Sequence, residues 1–384
     1  MPITSRERVK ISLQHKEPDR VPLALGGGPY GIVDEVYFKL VDMFDLGGHI
    51  PPFRQGHSIS YMDDRVFEKL GTDFRYVYPN LLPNSPIMPG EEKNSYKDSY
   101  GQIWHRAKPY YYAGNGILSQ IQASENALSH LNFPNPMDQK WMKGVNERAK
   151  MLHDSTTYFI TMRMVASHGP FQTACDLRGT EQFLMDMALQ PEFAEDLLNK
   201  IGSFQNGLYT QAMKAGGEYF DMIELPGDDY GSNVGTIISP RMFRDFIKPI
   251  LSQYVETIRS FKSDISIMFH SDGIITPLLE DLVEIGINVI HPLEPLKGTN
   301  FVEIKKRFGG ELSFLGAIDI THVLPGSKKG VLQELQTRIH QLGPGGGYIM
   351  APSNHIQADV PPENIQLLYQ AAKEFGTYPI NNPV

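Results

Sequence analysis

His270 and Asp272 are the sharpest chemical signal in this 384-residue chain. Residues i and i+2 of an extended segment face the same side. An imidazole nitrogen and a carboxylate oxygen can therefore address one ligand there, and that mixed pair suits zinc or another divalent ion. Glu224 ends an earlier apolar run, and His355 follows the last one. Together the four residues His270, Asp272, Glu224 and His355 form a candidate metal set. The alternative is a hydrogen-bonded histidine that orients an organic substrate.

A second cluster is Asp228-Asp229-Tyr230-Gly231. Adjacent carboxylates raise one pKa, which serves acid–base chemistry. They could equally hold a cationic substrate or cap the helix that begins at Pro240. Asp319, within Gly316-Ala317-Ile318-Asp319, carries the same two readings, and His291 ends an apolar stretch where a satisfied core histidine is expected. Cys175 is the only thiol, so neither an internal disulfide nor a multi-cysteine zinc site can form. It is expected just before a helix, in a structural role. Gly343-Pro344-Gly345-Gly346-Gly347 precedes a strand instead of opening a helix, which is wrong for phosphate binding and right for a tight turn. Gly26-Gly27-Gly28 lacks the full dinucleotide fingerprint.

The elements that must position these groups follow from periodicity. Thr4-x-x-Glu7 is a capping box, which predicts a helix to about His15 that ends at Pro18-Asp19-Arg20. Val21–Leu25 reads as a short strand and 31–47 as a helix. Further strands are expected at Tyr158–Val165, Asp221–Leu225, Asp264–His270, Asn288–His291, Leu312–Gly316 and Tyr348–Ala351. Between and after them lie helices: two within 179–215 that part near Gln190-Pro191, then Pro240–Phe261, Pro277–Ile285, Phe301–Phe308, Lys329–Leu342 and Glu363–Phe375. Strand–helix alternation with short connections argues for parallel βα units. The count favours a closed (β/α)₈ TIM barrel with an elaborated N-terminal segment over an open doubly wound sheet. In a barrel the active site lies at the C-terminal ends of the strands, where the acids and imidazoles above collect.

The chain reads as one barrel domain over 1–384, with 51–135 as an irregular elaboration covering the mouth. A hairpin around Asp98 is expected there, within Ser95–Trp104.

Composition sets outer limits. With 41% hydrophobic and 21% charged residues the chain is globular. A net charge of −9 argues against a nucleic-acid binder. No run of about 18 apolar residues occurs, so no spanning helix is expected, and the start lacks the apolar core of a signal peptide. A cytoplasmic protein is the expectation.

Several stretches resemble the uroporphyrinogen decarboxylase superfamily. They are Ser5-Arg6-Glu7-Arg8-Val9 through Glu17-Pro18-Asp19-Arg20-Val21-Pro22, Asp228-Asp229-Tyr230-Gly231, Phe269-His270-Ser271-Asp272-Gly273 and Gly316-Ala317-Ile318-Asp319. The segment Gly343 through Asn364 joins them. The resemblance covers most of the chain, is weakest over 51–135, and implies a (β/α)₈ barrel. True uroporphyrinogen decarboxylases carry an early arginine-rich segment that grips the acidic substrate. The corresponding place here, Leu25–Gly31, has no arginine. The other branch comprises corrinoid-linked methyltransferases, several of which hold zinc with a His-x-Cys pair and a later Cys. His270 matches that His, Asp272 replaces the first Cys, and Asn354 or His355 stands near the second.

An oxygen-rich set suits a Lewis acid that polarises an ether oxygen more than one that activates a thiol. The resemblance thus implies an O-demethylase-type methyltransferase: a small methylated, methoxy-bearing donor, zinc, and a corrinoid carried on a partner protein. A homodimer is a further expectation. His270, Glu224 and Asp229 are the expected catalytic residues, and Tyr230, Asp228, His291, Asp319 and Asn354 the expected substrate contacts. The alternatives are a decarboxylase of uroporphyrinogen or another small acid, and a binding barrel without chemistry.

Overall fold

The computed structural model describes residues 2–54, 57–80, 95–107, 110–124 and 126–380. In chain order its strands are β1 (Phe74–Val77), β2 (Ser95–Lys97), β3 (Ile103–Ala107), β4 (Tyr110–Ala113), β5 (Phe159–Met162), β6 (Met222–Glu224), β7 (Gly231–Ser232), β8 (Gly235–Thr236), β9 (Ser266–His270), β10 (Val289–His291), β11 (Ser313–Ile318) and β12 (Tyr348–Pro352). Seven of them form one parallel sheet in the order β1-β5-β6-β9-β10-β11-β12.

The two edges of that sheet meet on the segment Val21–Leu25. Leu23 O accepts from Asp73 N–H on the β1 side, while Ala24 N–H donates to Met350 O and Met350 N–H to Pro22 O on the β12 side. The segment fills the eighth position, and the ring closes as a (β/α)₈ barrel. The barrel strands are buried on both faces, which is why those other than β1 read as apolar runs without alternation.

Most helices fall where periodicity puts them. Thr4 and Glu7 form the reciprocal capping box over Ser5–Leu13. Pro191 opens the helix Pro191–Gly216 directly after Thr180–Leu189, in keeping with proline's fitness for a first turn. Three expectations are corrected. Pro240–Phe261 is interrupted by a π-turn at Phe243–Ile247 before Lys248–Phe261 resumes. Pro249 cannot donate to the preceding turn, so the ladder slips by one residue there. Cys175 lies inside a helix, Pro170–Arg178, where it is buried. The third correction concerns 51–135: it contains the helix Asp64–Leu70 and the barrel strand β1. That strand is four residues long and carries a buried arginine, Arg75, whose guanidinium lies 3.5 Å from the Tyr158 ring centroid. No apolar run marks it.

Below the barrel the N-terminal segment is clasped by Asp73. Its carboxylate accepts from Arg8, Arg20, Ser5 and the Leu23 backbone at 2.8–3.0 Å. Above it, β2–β4 form an antiparallel sheet around the turn at Asp98. Gly345, Gly346 and Gly347 all have φ between 70° and 77°, so this stretch is a tight turn from helix to strand.

Candidate metal and substrate site at the barrel mouth

The mouth is built from strand ends. His270 closes β9 and His291 closes β10, paired in register. Their Nδ1 atoms are 2.8 Å apart, and His291 Nε2 is 3.1 Å from the Pro352 carbonyl at the end of β12. A carbonyl only accepts, so His291 Nε2 carries a proton. Burial, with His270 beside it, holds the His291 pKa well below the ordinary value and keeps the ring neutral. His291 Nδ1 then accepts from His270 Nδ1–H. The chain of hydrogen bonds leaves His270 Nε2 as a bare lone pair, the form a metal ligand needs.

That nitrogen faces two carboxylates, Asp229 Oδ1 at 3.8 Å and Asp272 Oδ1 at 3.7 Å. One ligand atom from each of Asp229, His270 and Asp272 lies within 4.8 Å of the others. Asp229 is positioned by the Asp272 N–H, which donates to its Oδ1 at 2.8 Å, and Asn354 Nδ2 donates to Asp272 Oδ2 at 2.6 Å. Asp272 Oδ1 is buried and has no hydrogen-bond partner among the described residues. Burial, with Asp229 and Glu294 close by, raises the Asp272 pKa. An orphaned oxygen beside a bare imidazole nitrogen is what an ion would satisfy. The separations suit donors bonded at about 2.0–2.2 Å to one ion between them.

Of the four expected metal ligands the structure brings His270 and Asp272 together, beside Asp229, and places Glu224 and His355 outside that group. Both Glu224 oxygens are occupied: Gly28 N–H donates at 2.7 Å and Tyr30 O–H at 2.8 Å. A Cβ at Gly27 or Gly28 would stand 2.5 or 2.8 Å from those oxygens. The glycine loop is thus the seat of a buried carboxylate. His355 Nδ1 accepts from Gly31 N–H at 2.9 Å, so His355 lines the mouth without joining the set.

The expected substrate contacts also divide. Asp228 turns away and accepts from Phe171 N–H, Gln172 N–H and Tyr230 O–H at 3.0, 2.6 and 2.5 Å. It caps the helix Pro170–Arg178, while Ser239 caps the helix at Pro240. Burial pushes the Asp228 pKa up to about 7. Tyr230 is fully buried and stacks on Phe269. Asp319 accepts from Thr321 and His322 N–H in a turn, and His291 is buried behind His270. Only Asn354 among the five lines the cavity.

The triad opens into a cavity of about 300 Å³ that continues into an aromatic chamber of about 350 Å³ under the β2–β4 sheet. Tyr96, Trp104 and Tyr111 from that sheet, with Trp141 and Phe204, line the chamber. Arg54, His57, His168 and His355 line both cavities. Arg54 donates to the Ile59 carbonyl at 2.8 Å and lies 2.9 Å from His57 Nδ1; burial, with Arg163 nearby, lowers its pKa. Arg54, His57 and His168 line the site without a signal in the sequence analysis, and Arg163 is buried behind them against the Gly27 carbonyl. His168 and Arg163 follow β5, and applying the strand-end rule to that strand as to the others finds them.

Comparisons with known proteins agree with this architecture. A methyltransferase from Methanosarcina mazei superposes with a TM-score of 0.64 over 97% of this chain and 99% of that one, at 18% identity, and so shares the fold. Uroporphyrinogen decarboxylase of Legionella pneumophila (strain Paris) is 25% identical over 221 residues, which span 55% of this chain and 58% of that protein. The chloroplastic uroporphyrinogen decarboxylase of Zea mays is 28% identical over 139 residues, 36% of this chain and 34% of that one. The matched region thus spans 58% of the Legionella protein and 34% of the maize one. No described helix is long and apolar enough to cross a membrane. Residues 113–375 match the family model of uroporphyrinogen decarboxylase (URO-D), and the chain belongs to that enzyme family.

Proposed function

We propose that this protein is a methyltransferase that moves a methyl group from a small methoxy-bearing donor to a reduced corrinoid on a partner protein. The observation that carries the reading is the Asp229–His270–Asp272 set, with its orphaned Asp272 oxygen, in a cavity that adjoins an aromatic chamber. The donors fit zinc: one imidazole nitrogen, two carboxylate oxygens and an open side. Bound there, zinc would polarise the donor oxygen as a Lewis acid. Tyr96, Trp104 and Tyr111 would hold the donor skeleton, and Asn354 and His291 would keep Asp272 and His270 aimed.

Arg54 at the junction of the two cavities favours a second reading, decarboxylation of a small acid, because a guanidinium grips a carboxylate. The discriminating test is incubation of the zinc-loaded protein with reduced cobalamin and candidate methyl ethers, followed by the visible spectrum of the corrinoid. A spectral change that requires both the donor and His270 supports methyl transfer. Carbon dioxide release from an added acid, with an unchanged corrinoid, supports the second reading.

A further inference from the structure

A second constellation faces the triad across the cavity. His168 follows β5 and lines both cavities, with 35% of its side chain accessible. Its Nδ1–H donates to Asp176 Oδ2 at 2.7 Å. Asp176 stands on the helix Pro170–Arg178, and its other oxygen accepts from Gln172 Nε2 at 3.2 Å. The His168 backbone is pinned as well: its carbonyl accepts from Thr173 Oγ1 at 3.1 Å and Gln205 Nε2 at 2.9 Å. The Trp104 ring of the β2–β4 sheet packs 5.5 Å from the imidazole. Backbone, ring plane and tautomer are all fixed, and Nε2 has no hydrogen-bond partner among the described residues. This is the arrangement of a proton-transfer histidine held by a carboxylate. A histidine there for packing alone would not need a dedicated aspartate.

We propose that His168, oriented by Asp176, is the general acid that protonates the departing oxygen of the methyl donor. The inference rests on the methyl-transfer reading. As the C–O bond breaks, the methyl carbon bonds to the reduced cobalt through the cobalt's electron pair. The C–O electron pair stays on oxygen. That oxygen takes the Nε2 proton of the doubly protonated His168 ring, which leaves the Nδ1–H tautomer that Asp176 holds, and solvent returns a proton to Nε2. The charged or titratable groups around the imidazole are Asp176, Asp228, Asp229, His57 and His270. Burial alone would lower the His168 pKa, but the hydrogen bond and charge of Asp176, with Asp229 and Asp228 behind, raise it above the ordinary value. The Asp176 carboxylate thus favours the doubly protonated ring, the form that can give up its Nε2 proton.

The test uses two donors with one skeleton, methoxybenzene and 4-nitromethoxybenzene, with reduced cobalamin as acceptor. The variants are His168→Gln and Asp176→Asn. General acid catalysis is worth about 10²–10⁴-fold, so His168→Gln should lose at least about 100-fold with methoxybenzene and far less with the nitro compound. The nitro donor's leaving oxygen needs little protonation. Asp176→Asn should show the same pattern more weakly, since the imidazole remains. Imidazole ¹⁵N NMR provides a readout apart from activity: a protonated Nδ1 on His168 in the wild type that loses its hydrogen-bonded signal in Asp176→Asn. Equal losses with both donors, or a His168 Nδ1 without a proton, overturns the assignment alone. Absence of transfer by the wild type from either donor overturns it together with the methyl-transfer reading.

Discussion

His270 and His291 stand side by side on neighbouring strands with their Nδ1 atoms 2.8 Å apart, and the inner one, His291, is tied to the Pro352 carbonyl. One backbone carbonyl thereby sets the tautomer of both rings and bares the nitrogen that faces Asp229 and Asp272.

Removing that relay should loosen metal without touching a ligand. Partners behind a ligating histidine are worth about 10–100-fold in affinity. His291→Gln should weaken zinc binding by about that factor, and His270→Ala should abolish stoichiometric binding, as measured by chelator competition on the purified protein. Unchanged affinity in both variants would remove the metal assignment.

Asp228 and Asp229 are neighbours in sequence with separate duties. Asp228→Asn removes a buried carboxylate cap from the helix Pro170–Arg178 and should cost about 1–2 kcal/mol of stability. Zinc stoichiometry should stay intact. Asp229→Asn should reverse the pattern, with near-normal stability and weakened zinc. Denaturant titrations beside metal analysis distinguish the two; a single shared phenotype contradicts the division.

The clasp beneath the barrel should matter for stability alone. Asp73→Ala leaves the largely buried Arg20 guanidinium without its carboxylate and takes from Arg8 one of its two, Asp19 being the other. Breaking such an arrangement costs about 3–5 kcal/mol. The expected result is a markedly lower Tm, with unchanged zinc affinity in the fraction that remains folded at low temperature. Loss of zinc affinity in that folded fraction would show that the clasp shapes the mouth as well.

Asp63 gives a pH dependence of defined sign. Burial pushes its carboxyl up, but Arg65 and the Tyr37 hydroxyl outweigh that and hold it below the ordinary value. A carboxyl depressed in the folded state stabilises above its unfolded pKa and loses that contribution as pH falls through the folded one. The stability gap between wild type and Asp63→Asn should therefore be constant at neutral pH. It should close only in acid, below the normal aspartate range of about 3.9. Denaturation across a pH series checks this; a gap that closes on the alkaline side would reverse the sign.

The amino-acid order alone determined what depends on near neighbours. Apolar runs marked seven of the eight positions around the ring, the Thr4–Glu7 capping box marked the first helix, and the i, i+2 spacing set His270 and Asp272 on one side. Each follows from local geometry that a short window contains. Only the tertiary structure decided the rest. The strand Phe74–Val77 hides a buried arginine behind no apolar run, so its place came from pairing between β5 and Val21–Leu25. Asp229, and not Glu224 or His355, stands beside His270 and Asp272: both Glu224 oxygens and His355 Nδ1 are held by the Gly26–Gly31 loop. His168 met Asp176 across a loop and a helix turn, and both met the triad across the barrel mouth. Which side chains converge there depends on strand register and on how each carboxylate is already engaged. Those are pairings between distant segments, and no local spacing encodes them.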